Sequence, residues 1–191
     1  MFEKNYALPE GFDENCEIFI NLILKYNKVH NITGAKTKNS VIDNIEDSIF
    51  PITFLPLKNI KNAIDIGTGA GFPGLILAMA LPDTHFTLFE PIAKKSSFLH
   101  LIKTSLKLKN VTVSTKRVEQ EKAFKADLIS SRAVTNTDML IKLCKEYITD
   151  SSMLLFYKGE RVDEEVTNLT NYKIYKKDKR NYLLIKDIPT C

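Results

Sequence analysis

Three glycines at alternate positions, directly after a short apolar run, constrain this chain more than any other feature. In Ala63-Ile64-Asp65-Ile66-Gly67-Thr68-Gly69-Ala70-Gly71-Phe72-Pro73-Gly74, the residues Ala63, Ile64 and Ile66 read as a strand buried on both faces of a parallel sheet. Gly67, Gly69 and Gly71 permit positive φ and a close approach of backbone to a ligand, and Pro73 suits the first turn of a helix over 75–81. A strand, glycine turn and helix at the carboxyl edge of a parallel sheet is where open α/β folds bind nucleotides or nucleosides. A glycine-rich loop without chemistry is the alternative for the same stretch.

Further apolar runs at 85–89, 111–113, 126–133 and 153–157 alternate with helical patterns at 94–106 and 135–147, which is the rhythm of a parallel α/β sheet. Before the glycine motif, apolar residues from Asp13 onward recur at 3.6-residue spacing and stop at Asn31, Thr33 and Gly34. A second helix is expected from Ser40, with Asp43 approximating a capping box and Pro51 ending it. On it, Asn44, Asp47 and Ser48 fall at i, i+3 and i+4 and share one polar face, which is either a solvated surface or part of a site. After Gly159 the pattern turns polar, with a helix expected over 160–170. Two strands at 172–175 and 182–185 follow, and the basic connector 176–180 between them is too short for a crossover, so that pair is antiparallel.

Carboxyl ends of neighbouring strands converge in such a sheet, which places Glu90 and Arg132 beside Gly67. A carboxylate after the second strand suits the two hydroxyls of a ribose, both donors. The segment from Thr115 to Glu119 would lie beside an adenine, and Lys158-Gly159 ends the fifth strand. The formal net charge of +4 permits a polyanionic partner without demanding one. Cys16, Cys144 and Cys191 are scattered, without the spacing of a zinc site or a disulfide framework, and no metal is expected. His30 reads as an exposed helix-end residue. The opening Met1-Phe2-Glu3-Lys4-Asn5 lacks the pattern of a secretory signal, and the run 75–81 is too short to span a bilayer, so a cytoplasmic location is expected.

Two cofactors compete for the turn. Gly69-x-Gly71-x-x-Gly74 satisfies a dinucleotide fingerprint, yet the only tempting dehydrogenase signature, Tyr172-x-x-x-Lys176, lies in an expected strand. Asp65-x-Gly67-x-Gly69-x-Gly71 suits S-adenosylmethionine, which has no pyrophosphate and needs acceptors for its amine and ribose; Asp65, the Gly67 backbone and Glu90 are of that kind. The antiparallel final hairpin favours this second reading.

Taken together, Tyr26-Asn27-Lys28-x-x-Asn31-Ile32-Thr33, Asp47-Ser48, the glycine motif, Arg117-Val118-Glu119, Ser131-Arg132-Ala133 and Lys158-Gly159 resemble the bacterial small-subunit (16S) ribosomal RNA guanine-N7 methyltransferase family, also called glucose-inhibited division protein B, over about 19–159. The resemblance implies an α/β, Rossmann-like class I methyltransferase fold. Its mostly parallel seven-stranded sheet would end in an antiparallel hairpin, with N-terminal helices over 1–57 bordering the substrate site and a cofactor-binding core over 58–191. It implies that Gly67, Phe72, Val118, Glu119 and Arg132 line the S-adenosylmethionine pocket, joined by Asp65, Gly69 and Glu90 from the residue reading. It also places Asn27, Asn31, Asp47 and Ser48 on the substrate side. The catalytic candidates are Asp47, Asn31, Arg132 and Lys158: Asp47 as an acceptor near the base that becomes cationic, Arg132 and Lys158 as contacts to phosphate or guanine O6, or else as structural partners of carboxylates. The expected partner is 16S rRNA or a small-subunit assembly intermediate, met by a monomer, with Lys94, Lys95, Arg117 and the basic connector as backbone contacts. Asn44 stands where the family usually has His, so no titratable imidazole is available there. A small-molecule methyltransferase and an RNA-binding module without transfer activity remain the alternatives.

Overall fold

The computed structural model describes residues 2, 6–167 and 169–186. Cys191, most of the N-terminal pentapeptide and Asn168 lie outside them. A seven-stranded sheet forms the centre, comprising β1 (Asn62–Ile66), β2 (His85–Phe89), β3 (Val111–Ser114), β4 (Leu128–Arg132), β5 (Met153–Lys158), β6 (Tyr172–Lys177) and β7 (Arg180–Ile185). Its order is β3-β2-β1-β4-β5-β7-β6, and all pairings are parallel except β5 with β7 and β6 with β7. The strand order reverses at β1 and β4, which is the switch point where such sheets open a crevice at their carboxyl edge.

Successive strand residues point to opposite faces, so the core divides in two. Ala63, Phe86, Leu88, Leu128 and Leu155 pack under α1 (Phe12–His30), α2 (Lys38–Ile49), α3 (Gly74–Ala80) and α4 (Ala93–Ser105). Ile64, Ile66, Phe89, Ile129 and Leu154 face α5 (Thr137–Cys144) on the other side. Phe12, Cys16, Phe19, Ile20, Ile23 and Asn27 form the buried stripe of α1, and Phe19 meets Phe72 edge-on at 5.5 Å between ring centroids. That contact seats the N-terminal helices directly over the glycine turn.

Four local expectations differ from the structure. The second helix starts at Lys38, two residues before Ser40: Thr37 is the N-cap, and the reciprocal capping pair is Thr37 with Ser40, not Ser40 with Asp43. Pro73 is itself the N-cap of α3 rather than a residue inside its first turn. The region after Gly159 is a 3-10 turn over Glu160–Glu165 with a kink at Arg161, too irregular for an α-helix. The final hairpin is tighter than expected, since Lys177 pairs with Arg180 and only Asp178 and Lys179 form the turn, with Asp178 at φ 51°. Cys16 and Cys144 are buried on α1 and α5, where burial pushes the Cys144 thiol up to about 12. Among the described residues no helix is long and apolar enough to cross a membrane, and no cluster of three or more His, Cys, Asp or Glu has the geometry to hold a metal ion.

Candidate active site

The chain leaves β1 through Gly67 and Gly69 at φ 68° and 63°, then Gly71 at 104°, all in the left-handed region. Gly67 and Thr68 both donate their N–H groups to the Phe89 carbonyl at 3.0 and 3.1 Å, tying the turn to the end of β2. In front of Gly69 a Cβ would find open space, with only the Gly67 carbonyl oxygen at 3.9 Å. Val134, which follows Ala133 at φ 55°, lies against Gly67 and is partly exposed.

Asp65 is fully buried beneath this turn. Its Oδ1 accepts the Ser130 hydroxyl at 2.7 Å, and its Oδ2 accepts the Gly74 N–H at 3.0 Å together with the Thr68 hydroxyl. The sequence reading makes Asp65 an acceptor for the cofactor amine. In the structure its carboxyl instead joins both ends of the turn to β4. Burial dominates its titration and raises its pKa to about 6, with the hydrogen bonds from Ser130, Thr68 and Gly74 opposing that rise. Between the unfolded pKa near 3.8 and the folded value near 6, the folded state therefore binds the extra proton. This contribution to stability is complete below pH 3.8 and is lost as pH rises through 6. Asp65→Asn removes the dependence, so the variant's stability relative to wild type should improve by roughly 3 kcal/mol from pH 3.5 to pH 7.5. Urea unfolding of both proteins across that range checks this; parallel pH profiles would contradict it.

Glu90 is also buried, 3% exposed, and bridges two backbones: Oε2 accepts the Gly69 N–H at 2.8 Å and Oε1 the Ile92 N–H at 2.8 Å. Each oxygen keeps a further lone pair, so acceptor capacity remains for a ribose. Val118 is buried, with its carbonyl accepting the Tyr147 hydroxyl at 3.0 Å, while the neighbouring Glu119 is exposed. Phe72 is buried beside the turn, and the Arg132 guanidinium stands 5.0 Å from its ring centroid.

Arg132 connects this half of the site to α2. Its Nη1 donates to Asn44 Oδ1 at 2.8 Å and to Asp47 Oδ2 at 2.9 Å. Asp47 Oδ1 accepts Arg180 Nε at 3.0 Å and the Tyr182 hydroxyl at 2.8 Å. The carboxylate expected to face a substrate base is thus occupied by two arginines and a tyrosine, and it links α2, β4 and β7. Lys158, 7% exposed, donates to Glu165 Oε2 at 2.7 Å and to the Thr135 carbonyl at 3.3 Å. Of the two roles open to Arg132 and Lys158, pairing with a carboxylate is the one present.

The remaining polar candidates divide. Asn27 is buried and structural: Oδ1 accepts from Ile32 and Thr33 N–H, and Nδ2 donates to the Thr33 and Ala35 carbonyls, which fixes the turn after α1. Ser48 is buried as well; its hydroxyl donates to the Asn44 carbonyl and its own carbonyl accepts the Tyr157 hydroxyl at 2.7 Å. Asn31, exposed at φ 46°, presents its carbonyl to Lys94 Nζ at 3.4 Å. Sequence reasoning missed Ser130, Glu165 and Tyr182, and it read Arg180, within the basic connector, as a phosphate contact rather than a partner of Asp47. Ser130 depends on the register of Asp65 against it, Glu165 on a kinked 3-10 turn that folds back onto Lys158 and Thr137, and Tyr182 and the Arg180 pairing on contacts to Asp47 across 135 and 133 residues of chain.

Residues 13–186 match the family model described as rRNA small subunit methyltransferase G. The protein called ribosomal RNA small subunit methyltransferase G in Aliarcobacter butzleri is 45% identical over 187 residues, 97% of this chain and 95% of its own length. The protein of that name in Wolinella succinogenes is 45% identical over 184 residues, 94% of this chain and 93% of its own. Among solved structures, a methyltransferase from Geobacter sulfurreducens superimposes with a TM-score of 0.64 at 11% identity, covering 94% of this chain and 90% of that one. An S-adenosylmethionine-dependent O-methyltransferase from Thermotoga maritima gives 0.63 at 15% identity, with 75% and 66% covered. At such identities these two likenesses speak to the fold, that of class I methyltransferases.

Proposed function

The chain belongs to the rRNA small subunit methyltransferase G family, and from that premise we propose that it transfers a methyl group from S-adenosylmethionine to N7 of a guanine in small-subunit (16S) ribosomal RNA. The observation that carries the reading is the convergence at one sheet edge of the glycine turn, Glu90 and the Arg132–Asp47 junction, the last reached from a helix outside the nucleoside-binding core. Residues 1–57 supply that helix and border the substrate, while 58–191 form the cofactor-binding core.

The residues fit the cofactor. Gly69 would give its amino-acid tail a path free of Cβ atoms, while the Cβ side of Gly67 is filled by Val134; Glu90 would offer acceptors to the ribose, and Phe72, Val118 and Glu119 would border the rest. S-adenosylmethionine supplies an electrophilic methyl group on a sulfonium. Guanine N7 presents an in-plane lone pair and carries no proton, so no general base is required. The geometry agrees with that demand: Asp47, Asp65, Glu90 and Glu165 are each engaged by protein donors rather than held as free bases. What the chain contributes is alignment and exclusion of water. Because the base gains positive charge, the Arg132 cation beside it needs an offset, and Asp47 provides one. A stacked guanine cannot bring N7 to this edge, so the nucleotide is taken up unstacked.

Labelled methyl transfer to small-subunit particles lacking the modification, to naked rRNA and to free guanosine tests this reading. Transfer to particle or rRNA that weakens with salt is expected. Salt-insensitive transfer to the nucleoside alone would instead mark a small-molecule enzyme, and RNA binding without transfer a mere binding module.

A further inference from the structure

A groove of about 610 Å³ opens between the end of α1 and the start of α2, lined by Leu24, Asn27, Lys28, Asn31, Lys36, Thr37 and Lys38. None of these residues is acidic. Lys38 is held by Glu17 at 2.9 Å, whereas Lys28 and Lys36 are exposed and form no ion pair among the described residues. The cleft between α2 and the β6–β7 turn is different. It sets four carboxylates (Asp43, Glu46, Asp47, Asp178) against three cations (Lys177, Lys179, Arg180), a balance that does not attract a polyanion.

Resting on the rRNA reading above, we propose that the α1–α2 groove is the seat for the phosphate backbone of the RNA strand beside the target nucleotide, with Lys28 and Lys36 as its two phosphate contacts. Three features support this beyond charge. The groove is preformed, because the four hydrogen bonds of Asn27 hold the turn over 31–35 that makes its wall, and a rigid seat loses little entropy on binding. It adjoins the reaction edge: Lys94 Nζ reaches the Asn31 carbonyl at 3.4 Å, the Tyr26 hydroxyl donates to the Lys94 carbonyl at 3.1 Å, and α4 begins just after Ile92, whose N–H lies on Glu90. Its wall also carries the aliphatic stem of Leu24, so a sugar has apolar surface to rest on beside the lysines. Asn31, taken from sequence as catalytic, lines this groove and positions RNA rather than touching the reacting atoms.

The test is the double variant Lys28→Gln/Lys36→Gln in the full chain, with Lys176→Gln/Lys179→Gln on the hairpin as comparison. Filter binding of a 16S RNA fragment across a salt series should show the log–log slope shallower by about 1.4–1.8 for the groove variant, from two phosphate contacts. Its KM for RNA should rise about tenfold at physiological salt with kcat and cofactor affinity unchanged, and Lys28→Arg/Lys36→Arg should restore both. The hairpin variant removes the rival contact expected of the basic connector from sequence, and on this proposal it leaves slope and KM near wild type. Lys28 also lies in the last turn of α1, where it offsets the helix dipole, so a melting curve confirms that folding is intact. An unchanged slope and KM in the groove variant, or a shift confined to the hairpin variant, overturns the proposal. If the wild type transfers no methyl group to RNA, the rRNA reading itself fails. The binding slope still judges the groove in that case.

Discussion

Gly74→Ala is expected to cost about 3–5 kcal/mol of stability, a large share of the whole for a domain of this size. A Cβ at Gly74 would overlap the buried carboxyl of Asp65, which cannot retreat because Ser130 and Thr68 hold it from the other side. Overpacking of this kind costs about 1–3 kcal/mol, and loss of the Gly74 N–H to a buried carboxylate adds about 1.5–3. Since the same contact sets the path of the glycine turn, S-adenosylmethionine binding should fall below detection in calorimetry at concentrations that saturate wild type. Gly34→Ala is the contrast, because a Cβ there meets nothing within 4 Å, and its urea midpoint should stay close to wild type. Equal stabilities for the two variants would remove Asp65 from its place as the post on which the turn is built.

Asp47→Ala is the second large effect. It leaves Arg132, Arg180 and the Tyr182 hydroxyl without their shared acceptor, and Arg132 and Asp47 side chains are only 15% and 13% exposed. Breaking a buried pair from one side costs about 3–5 kcal/mol; partial access of water here brings the expectation to about 2–3. Methyl transfer should fall roughly a hundredfold, since a displacement of about 1 Å at the reacting centre has that effect. Read from the sequence, Asp47 acts on the substrate base, and its loss would spare cofactor affinity. Held against Arg132, which stands over Phe72, its loss is now expected to weaken cofactor binding as well. Asp47→Asn keeps one acceptor and should recover part of both losses. Single-turnover transfer and cofactor titration on the three proteins check these expectations, and intact cofactor affinity in Asp47→Ala would restore the simpler role.

What was legible in the sequence follows from how local each signal is. Parallel strands buried on both faces announce themselves as apolar runs, so the runs at 63–66, 85–89, 126–133 and 153–157 match β1, β2, β4 and β5 within two residues, and the short connector forces the antiparallel ending. Residues at strand ends converge by topology alone, which is why the sequence suffices to bring Gly67, Glu90 and Arg132 to one edge. What a carboxylate does there was not legible. Asp65, Asp47 and Glu165 are spent on Ser130, Arg180, Tyr182, Lys158 and Thr137, and those partners are set by register and by packing across the sheet. Short-range capping suffered similarly, because Thr37 and Ser40 form as good a reciprocal pair as Ser40 and Asp43, and the packing of Val41, Ile45 and Ile49 admits either start.

The central claim is that this chain methylates guanine N7 in small-subunit rRNA. Mapping N7-methylguanosine along 16S rRNA from otherwise identical cells with and without the protein tests it most directly. One modified position is expected to disappear in its absence, and to return with the wild-type chain but not with Asp47→Ala. An identical map in both cells would contradict the claim.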